Sequence, residues 1–269
     1  MRIAEHTVGS LGELLDLVTP SAPDPRSGRH RDAAVYRGSG CVDWPLLTSL
    51  DRLGGTHPPH TKAHLEAHVL RSFVRYSRPH LHGNAANDWE LLVLAQHHGA
   101  PTRLLDWSWS PLVAAHFATL AARGDEPCAV WRLDWHRMHR RFGIQEIALL
   151  VSDLERLPPG RTGDGVPFTP AVLMESGGRI PPFACLIEPP ALDARIVSQA
   201  ATFTVCTETT RSFDEFLMGE ELGDTLTRYV IEPDAVPRVR DQLDLAGMDE
   251  RRLFPDFDGV AAYIRRWYA

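Results

Sequence analysis

Cysteine is scarce in this sequence. Its four residues, Cys41, Cys128, Cys185 and Cys206, lie far apart and form no C-x-x-C pair. That excludes a disulfide framework and a zinc knuckle, and predicts reduced, packed thiols. Long apolar runs are missing as well. Stretches such as Leu112–Ala115 and Ile147–Val151 fall far short of the ~20 residues that cross a bilayer. The first eighteen residues interleave Arg2, Glu5 and Glu13 with their apolar side chains and show no cleavable leader pattern. The expectation is a cytoplasmic protein without membrane partners. Positive charge is in the minority, 28 Lys and Arg against 35 Asp and Glu for a net charge of −7. This argues against a nucleic-acid coat protein, whose affinity comes from many phosphate contacts. A local anion pocket remains open, because one or two placed arginines grip a pyrophosphate. There is no Walker loop, no GxGxxG, no GxSxG and no EF-hand pattern. ATPase, Rossmann and ordinary serine-hydrolase readings therefore lack support.

What is present is ordinary globular material, 43% hydrophobic and 23% charged over 269 residues. A capping box at Ser10–Glu13 predicts a short helix through Val18. The Pro-, Ser- and Gly-rich stretch over 19–32 reads as a mobile connector. Strands are expected at Ala33–Gly38, Thr102–Ser108, Pro127–Trp135, Phe183–Ile187, Arg195–Val205 and Thr227–Ile231. Helices are expected at Thr61–Tyr76, after the Asn87 cap, after Ser110-Pro111, and at Val236–Leu245 and Val260–Trp267. Strands mixed irregularly with helices favour α+β over a doubly wound sheet. The expected organisation is an N-terminal helix and connector over residues 1–32 appended to one domain over 33–269.

The segment Gln96–Trp107 carries the densest chemistry. A helix ends in an amide and two imidazoles, turns at Gly99 and Pro101, and enters a strand bearing Arg103 and Asp106. Those two side chains fall on opposite faces of an ideal strand. A structural hydrogen-bond network and a ligand site explain this pattern about equally well. The indoles of Trp107 and Trp109 suit a planar ligand. Upstream, Tyr36-Arg37-Gly38 puts a guanidinium at a strand end beside residues that allow close backbone approach. His60, His64 and His68 recur every four residues, and His64-Leu-Glu66-Ala-His68 superficially matches a zinc-protease helix. Its glutamate does not directly follow the first histidine, so that reading is rejected and no metal is expected. The basic–aromatic runs Trp135–Phe142 and Arg265–Tyr268 read as solvated helix faces before nucleic-acid contacts.

Taken together, Tyr36-Arg-Gly38, Ser49-Leu-Asp-Arg52, the block Gln96–Ala118, Arg195–Gln199 followed by Phe203, and Leu253–Gly259 resemble the FRG domain family. The resemblance runs in order from Tyr36 to Ile264. It implies an ADP-ribosyltransferase-like fold, that is, α+β with a split, mostly antiparallel sheet flanked by helices. It further implies NAD as substrate, with transfer of ADP-ribose to a nucleic-acid or protein acceptor or hydrolysis of NAD, in a toxin or antiphage effector. On this resemblance Tyr36, Arg37, Gly38, Arg103 and Trp107 hold NAD, with Arg37 and Arg103 on the pyrophosphate and Trp107 stacked on nicotinamide. His97, Asp106 and Gln199 carry the chemistry. The usual third-strand glutamate has no counterpart, since that neighbourhood offers Asp193, Arg195 and Gln199. Ala201 stands where the family has glycine. The alternative is a non-catalytic module that binds a nucleotide or nucleic acid.

Overall fold

Local caps start most of the helices. The computed structural model describes residues 2–25, 27–30, 33–57, 59–80, 87–154, 157, 168–175, 180–191 and 193–268. The chain opens with β1 (Ala4–Val8) and α1 (Leu11–Val18), where the Ser10 hydroxyl accepts the Glu13 N–H. Then come β2 (Val35–Ser39), α2 (Lys62–Ser77), α3 (Asp88–His97), β3 (Leu104–Ser108) and α4 (Pro111–Leu120). The middle holds β4 (Cys128–Leu133), α5 (Trp135–Arg141), β5 (Leu149–Leu150), α6 (Val151–Leu154), α7 (Pro170–Glu175) and β6 (Ala184–Glu188). The last part holds α8 (Ala194–Ser198), β7 (Ala201–Cys206), α9 (Phe213–Gly219), β8 (Leu226–Ile231), α10 (Val236–Leu245), α11 (Glu250–Leu253) and α12 (Phe257–Trp267). Caps at Thr61, Asn87, Ser110, Asp193, Ser212 and Asp256 each satisfy an orphan N–H of a first turn.

The described strands form one mixed sheet in the order β1-β8-β4-β2-β3-β7-β6-β5. Ladders in the middle are antiparallel, while β1–β8 and β5–β6 at the two edges are parallel. The join between β2 and β3 is a single pair, Tyr36 opposite Ser108, whereas β2–β4 and β3–β7 each pair over five residues. Two four-stranded halves thus meet at one point, and this seam positions the site. An apolar cluster on one face joins Val35, Leu105 and Trp131 to α3, α5 and α9. A second cluster joins Tyr36, Val130 and Tyr229 to α1, α4 and α10. In β2 and β4 adjacent residues, Val35 and Tyr36 or Val130 and Trp131, supply opposite clusters, as the pleat requires.

Several sequence expectations change. The sheet, expected to be mostly antiparallel, is mixed: five of its ladders are antiparallel and the two at its edges are parallel. Residues 4–8, for which no strand was expected, form an edge strand paired with Thr227–Ile231. Only Val8 of that strand is buried, so no alternating apolar pattern marked it. Arg195–Val205 is not one strand: Asp193 caps a short helix, and β7 begins only at Ala201. In the expected connector, residues 26, 31 and 32 lie outside the described residues, while Asp24 accepts the Gly28 N–H and donates to the Arg29 carbonyl. All four cysteines are free and buried. Burial pushes the Cys128 thiol up to about 11 and Cys206 up to about 12, which keeps both protonated and unreactive.

Candidate functional site

A cleft of about 930 Å³ lies over the seam, at the upper end of ordinary ligand sites. Its floor is the middle of β2 and the last three residues of β3. Arg37 leaves β2 toward the neighbouring half, where its Nη1 donates to the Asp106 carbonyl at 2.7 Å and stands 3.6 Å from the Asp106 carboxylate. Burial lowers the Arg37 pKa, Asp106 opposes that shift, and nearby Arg52 adds to it. The Asp106 side chain is 53% exposed and is oriented by Gln96, whose Nε2 lies 3.0 Å from both carboxylate oxygens. Gln96 is itself fixed, accepting from Thr102 Oγ1 at 2.7 Å and from Ser49 Oγ at 3.2 Å. The side chain at the centre of the cleft is therefore an open carboxylate held in place by an amide and a guanidinium.

His97, on the last turn of α3, meets the Asp193 carboxylate through its Nε2. Asp193 also accepts the Ile196 N–H at 2.9 Å as the cap of α8. Burial opposes ionisation of this carboxyl, but the Ile196 N–H and His97 outweigh it and hold its pKa below the usual value. Arg195 lines the same wall with its guanidinium 4.8 Å from the Phe254 ring centroid. Gln199 lines the cleft too, but its Nε2 donates to the Leu253 carbonyl at 2.9 Å. That bond ties α8 to α11 and commits the amide group to a structural partner. Pro255 and Asp256 complete the far rim.

Four of the expected ligand-holding residues stand differently. Arg103 does not reach the cleft. It is 3% exposed, with its Nε 2.5 Å from Glu66 Oε2 and its backbone N–H 2.8 Å from Glu66 Oε1. The expectation that Arg37 and Arg103 converge on one anion is thus corrected: Arg103 neutralises a fully buried glutamate on α2. Trp107 is also core. Its indole donates to Thr204 Oγ1 at 3.0 Å and packs edge-on against Phe213, on the face opposite Asp106, so it cannot stack on a ligand in the cleft. Tyr36 is 2% exposed and belongs to the α4-side cluster. Gly38 serves the protein, not a ligand: a Cβ there would collide with the Ala114 carbonyl and the Ala118 nitrogen of α4. Glycine at this position lets the helix lie directly on β2. The glycine-to-alanine change at 201 carries no backbone strain, because the positive φ falls one residue earlier, at Ala200 with φ 44°.

Of the expected residues the structure brings Tyr36, Arg37, Gly38, His97, Asp106, Trp107 and Gln199 to the lining of one cleft and leaves Arg103 out, with the Tyr36 and Trp107 side chains buried beneath it. Sequence reasoning gave no role to Gln96, Arg52 or Asp256 and treated Asp193 only as a neighbour. A signal existed for Asp193, since an Asp three residues before Ile196 is a helix cap. Nothing local revealed its partner, 96 residues earlier in the chain.

Fold and site together define an α+β protein whose single mixed sheet opens at its middle into a polar cleft of both charge signs. A family model described as the FRG domain matches residues 32–126. The match spans β2 to α4 and so contains Arg37, Gln96, His97 and Asp106, while Asp193, Arg195, Gln199 and Asp256 lie beyond it. No curated protein and no solved structure matches the chain.

Proposed function

We propose that the cleft binds NAD and cleaves its N-glycosidic bond, passing ADP-ribose to water or to a protein or nucleic-acid acceptor on an ADP-ribosyltransferase-like fold. The observation that carries this reading is the open Asp106 carboxylate, fixed at the seam beside Arg37 with His97 on the same wall. Cleavage breaks the bond between ribose C1′ and the nicotinamide nitrogen. The electron pair leaves with nicotinamide, and positive charge develops on the ribose. A carboxylate held in place beforehand by Gln96 and Arg37 stabilises that charge without having to reorient as it develops. Arg37, Arg52 and Arg195 supply cations for the pyrophosphate, taking the place first assigned to Arg103. His97, oriented by Asp193, accepts the proton of the attacking water or acceptor hydroxyl as the new bond to C1′ forms. Gln199 acts through position, holding α8 against α11.

A second reading keeps the binding and drops the chemistry: a nucleotide- or nucleic-acid-binding module. It is favoured by the lining itself, which among the described residues contains no glutamate. One experiment separates the two. Calorimetry gives NAD affinity and chromatography gives free nicotinamide, for the wild type, Asp106→Asn and Arg37→Ala. The enzyme reading expects Asp106→Asn to keep its affinity and lose roughly 10²-fold in turnover, with Arg37→Ala weakening binding. Binding without nicotinamide release supports the module, and absence of NAD binding removes the enzyme reading.

A further inference from the structure

A surface helix normally turns its apolar stripe inward. Helix α12 does the reverse. It is anchored through Gly259, where a Cβ would strike the Phe254 and Glu250 carbonyls, and through Arg266, which binds Asp244 and Glu250 at 2.7–2.9 Å. These groups hold Glu250 down to about 2: burial opposes its ionisation, but the Arg266 and Arg240 guanidiniums outweigh that. The outward face carries Phe257 at 93% exposure, Val260 at 43%, Ile264 at 50%, Trp267 at 61% and Tyr268 at 83%. With aromatic side chains covering about 200 Å² each, the stripe exposes on the order of 600 Å², more than a monomeric surface usually leaves to water.

We infer that this stripe is a self-association surface, on which α12 of a second copy of this chain packs antiparallel about a two-fold axis. The spacing is self-complementary. Centred near Ala262, an antiparallel pair sets Phe257 against Trp267 of the other copy and Val260 against its Ile264, and the axis repeats both contacts. Ala261, small and exposed, lies beside the axis and lets the backbones approach. Charge agrees. Asp258 and Arg265, both exposed, are seven residues apart on one flank, and in the antiparallel arrangement each faces the opposite charge of the other copy. Burying about 600 Å² per copy gives ~1,200 Å² in total, the lower bound of specific interfaces, so the dimer is a reversible one. Its geometry also sets Trp267 and Tyr268 of the second copy beside Pro255 and Asp256 at the cleft rim, where this chain's own Trp107 is unavailable.

Sedimentation velocity on the full chain across a dilution series tests this. The wild type should sediment as a dimer that dissociates on dilution. Ile264→Lys and Phe257→Glu should be monomeric at every loading while keeping the wild-type melting temperature. Asp258→Arg and Arg265→Asp should each weaken association about fivefold, and combining the two should restore it. A wild-type monomer at the highest loading would hand the stripe to another occupant, a lipid surface or a different protein, and overturn the inference. So would a dimer that survives both apolar substitutions, a charge swap that fails to restore it, or loss of melting temperature in both apolar variants, which would mean that the chain itself covers the stripe.

Discussion

Replacing Arg103 with methionine distinguishes a core ion pair from a ligand grip. The guanidinium and the backbone N–H of Arg103 both bind Glu66, whose side chain is wholly inaccessible. Without the guanidinium a buried carboxylate keeps one backbone donor and no counter-charge, a loss of about 3–5 kcal/mol. For a chain of this size each kcal/mol shifts the melting temperature by about 2–4 °C, so a drop of about 6–20 °C is expected by calorimetry. Arg103→Lys should fall between, because a point charge cannot reproduce the guanidinium's bonds. The decisive variant is the double change Arg103→Met with Glu66→Met. It removes both charges at similar volume and should recover most of the lost stability, since apolar pairs commonly replace buried ion pairs at little cost. The reasoning fails if Arg103→Met melts within about 2 °C of the wild type while losing nucleotide affinity, or if the double variant is less stable than the single one.

Two further outcomes test the fold around the site. His139 is buried, with Nδ1 facing the Gln145 carbonyl at 2.8 Å and Nε2 accepting the Leu186 N–H at 2.8 Å. Burial pushes its pKa from 6.5 down to about 4, with the Gln145 carbonyl and Glu146 opposing and His136 assisting. Between those two values the unfolded chain takes up a proton that the folded chain refuses. Stability is therefore full above about pH 6.5 and falls as the pH drops toward 4, by up to ~3 kcal/mol from this residue. Urea midpoints across that range should show the slope, and His139→Phe should flatten it while costing about 1–3 kcal/mol at neutral pH. An unchanged slope would refute the assignment. His116, lowered to about 4 chiefly by burial, supplies the part of the slope that remains. Gly38→Ala should cost about 3 kcal/mol by forcing α4 off β2, whereas Gly55→Ala, with open space around it, should change stability by under about 0.5 kcal/mol. Equal melting temperatures for these two variants would show that α4 does not rest on β2 as described.

Much of the architecture was legible because its signals are local. Asn87 with Glu90, Ser110 with Pro111, and Val236–Leu245 each declare a helix within one turn, and the structure places helices there. The residues of the cleft floor were legible for the same reason, since Arg37, His97 and Asp106 sit in short, chemically dense segments. The failures are those of long-range partners. Strand β1 gains its place only from β8, more than two hundred residues away. The burial of Arg103 depends on Glu66, and no pattern within either segment announces the pair. Ile196 and Val197 are β-branched and argued for a strand, but the Asp193 cap won. Trp107 was misplaced against a rule in hand: neighbours on a strand point to opposite faces, so an outward Asp106 requires an inward Trp107.

A hydrogen-bond ladder several rungs long holds two strands by itself, whereas a single rung leaves the join to its brace and its packing. The rung is Tyr36 with Ser108 and the brace is Arg37 on the Asp106 carbonyl. The two four-stranded plates are thus joined by one backbone pair and one side chain, and by the apolar cluster that packs Val35 and Trp131 with Leu104 and Leu105. Under the proposed function, a ligand phosphate that engages Arg37 would compete with that carbonyl for the same guanidinium, so the group that grips the ligand is also one that ties the two plates together.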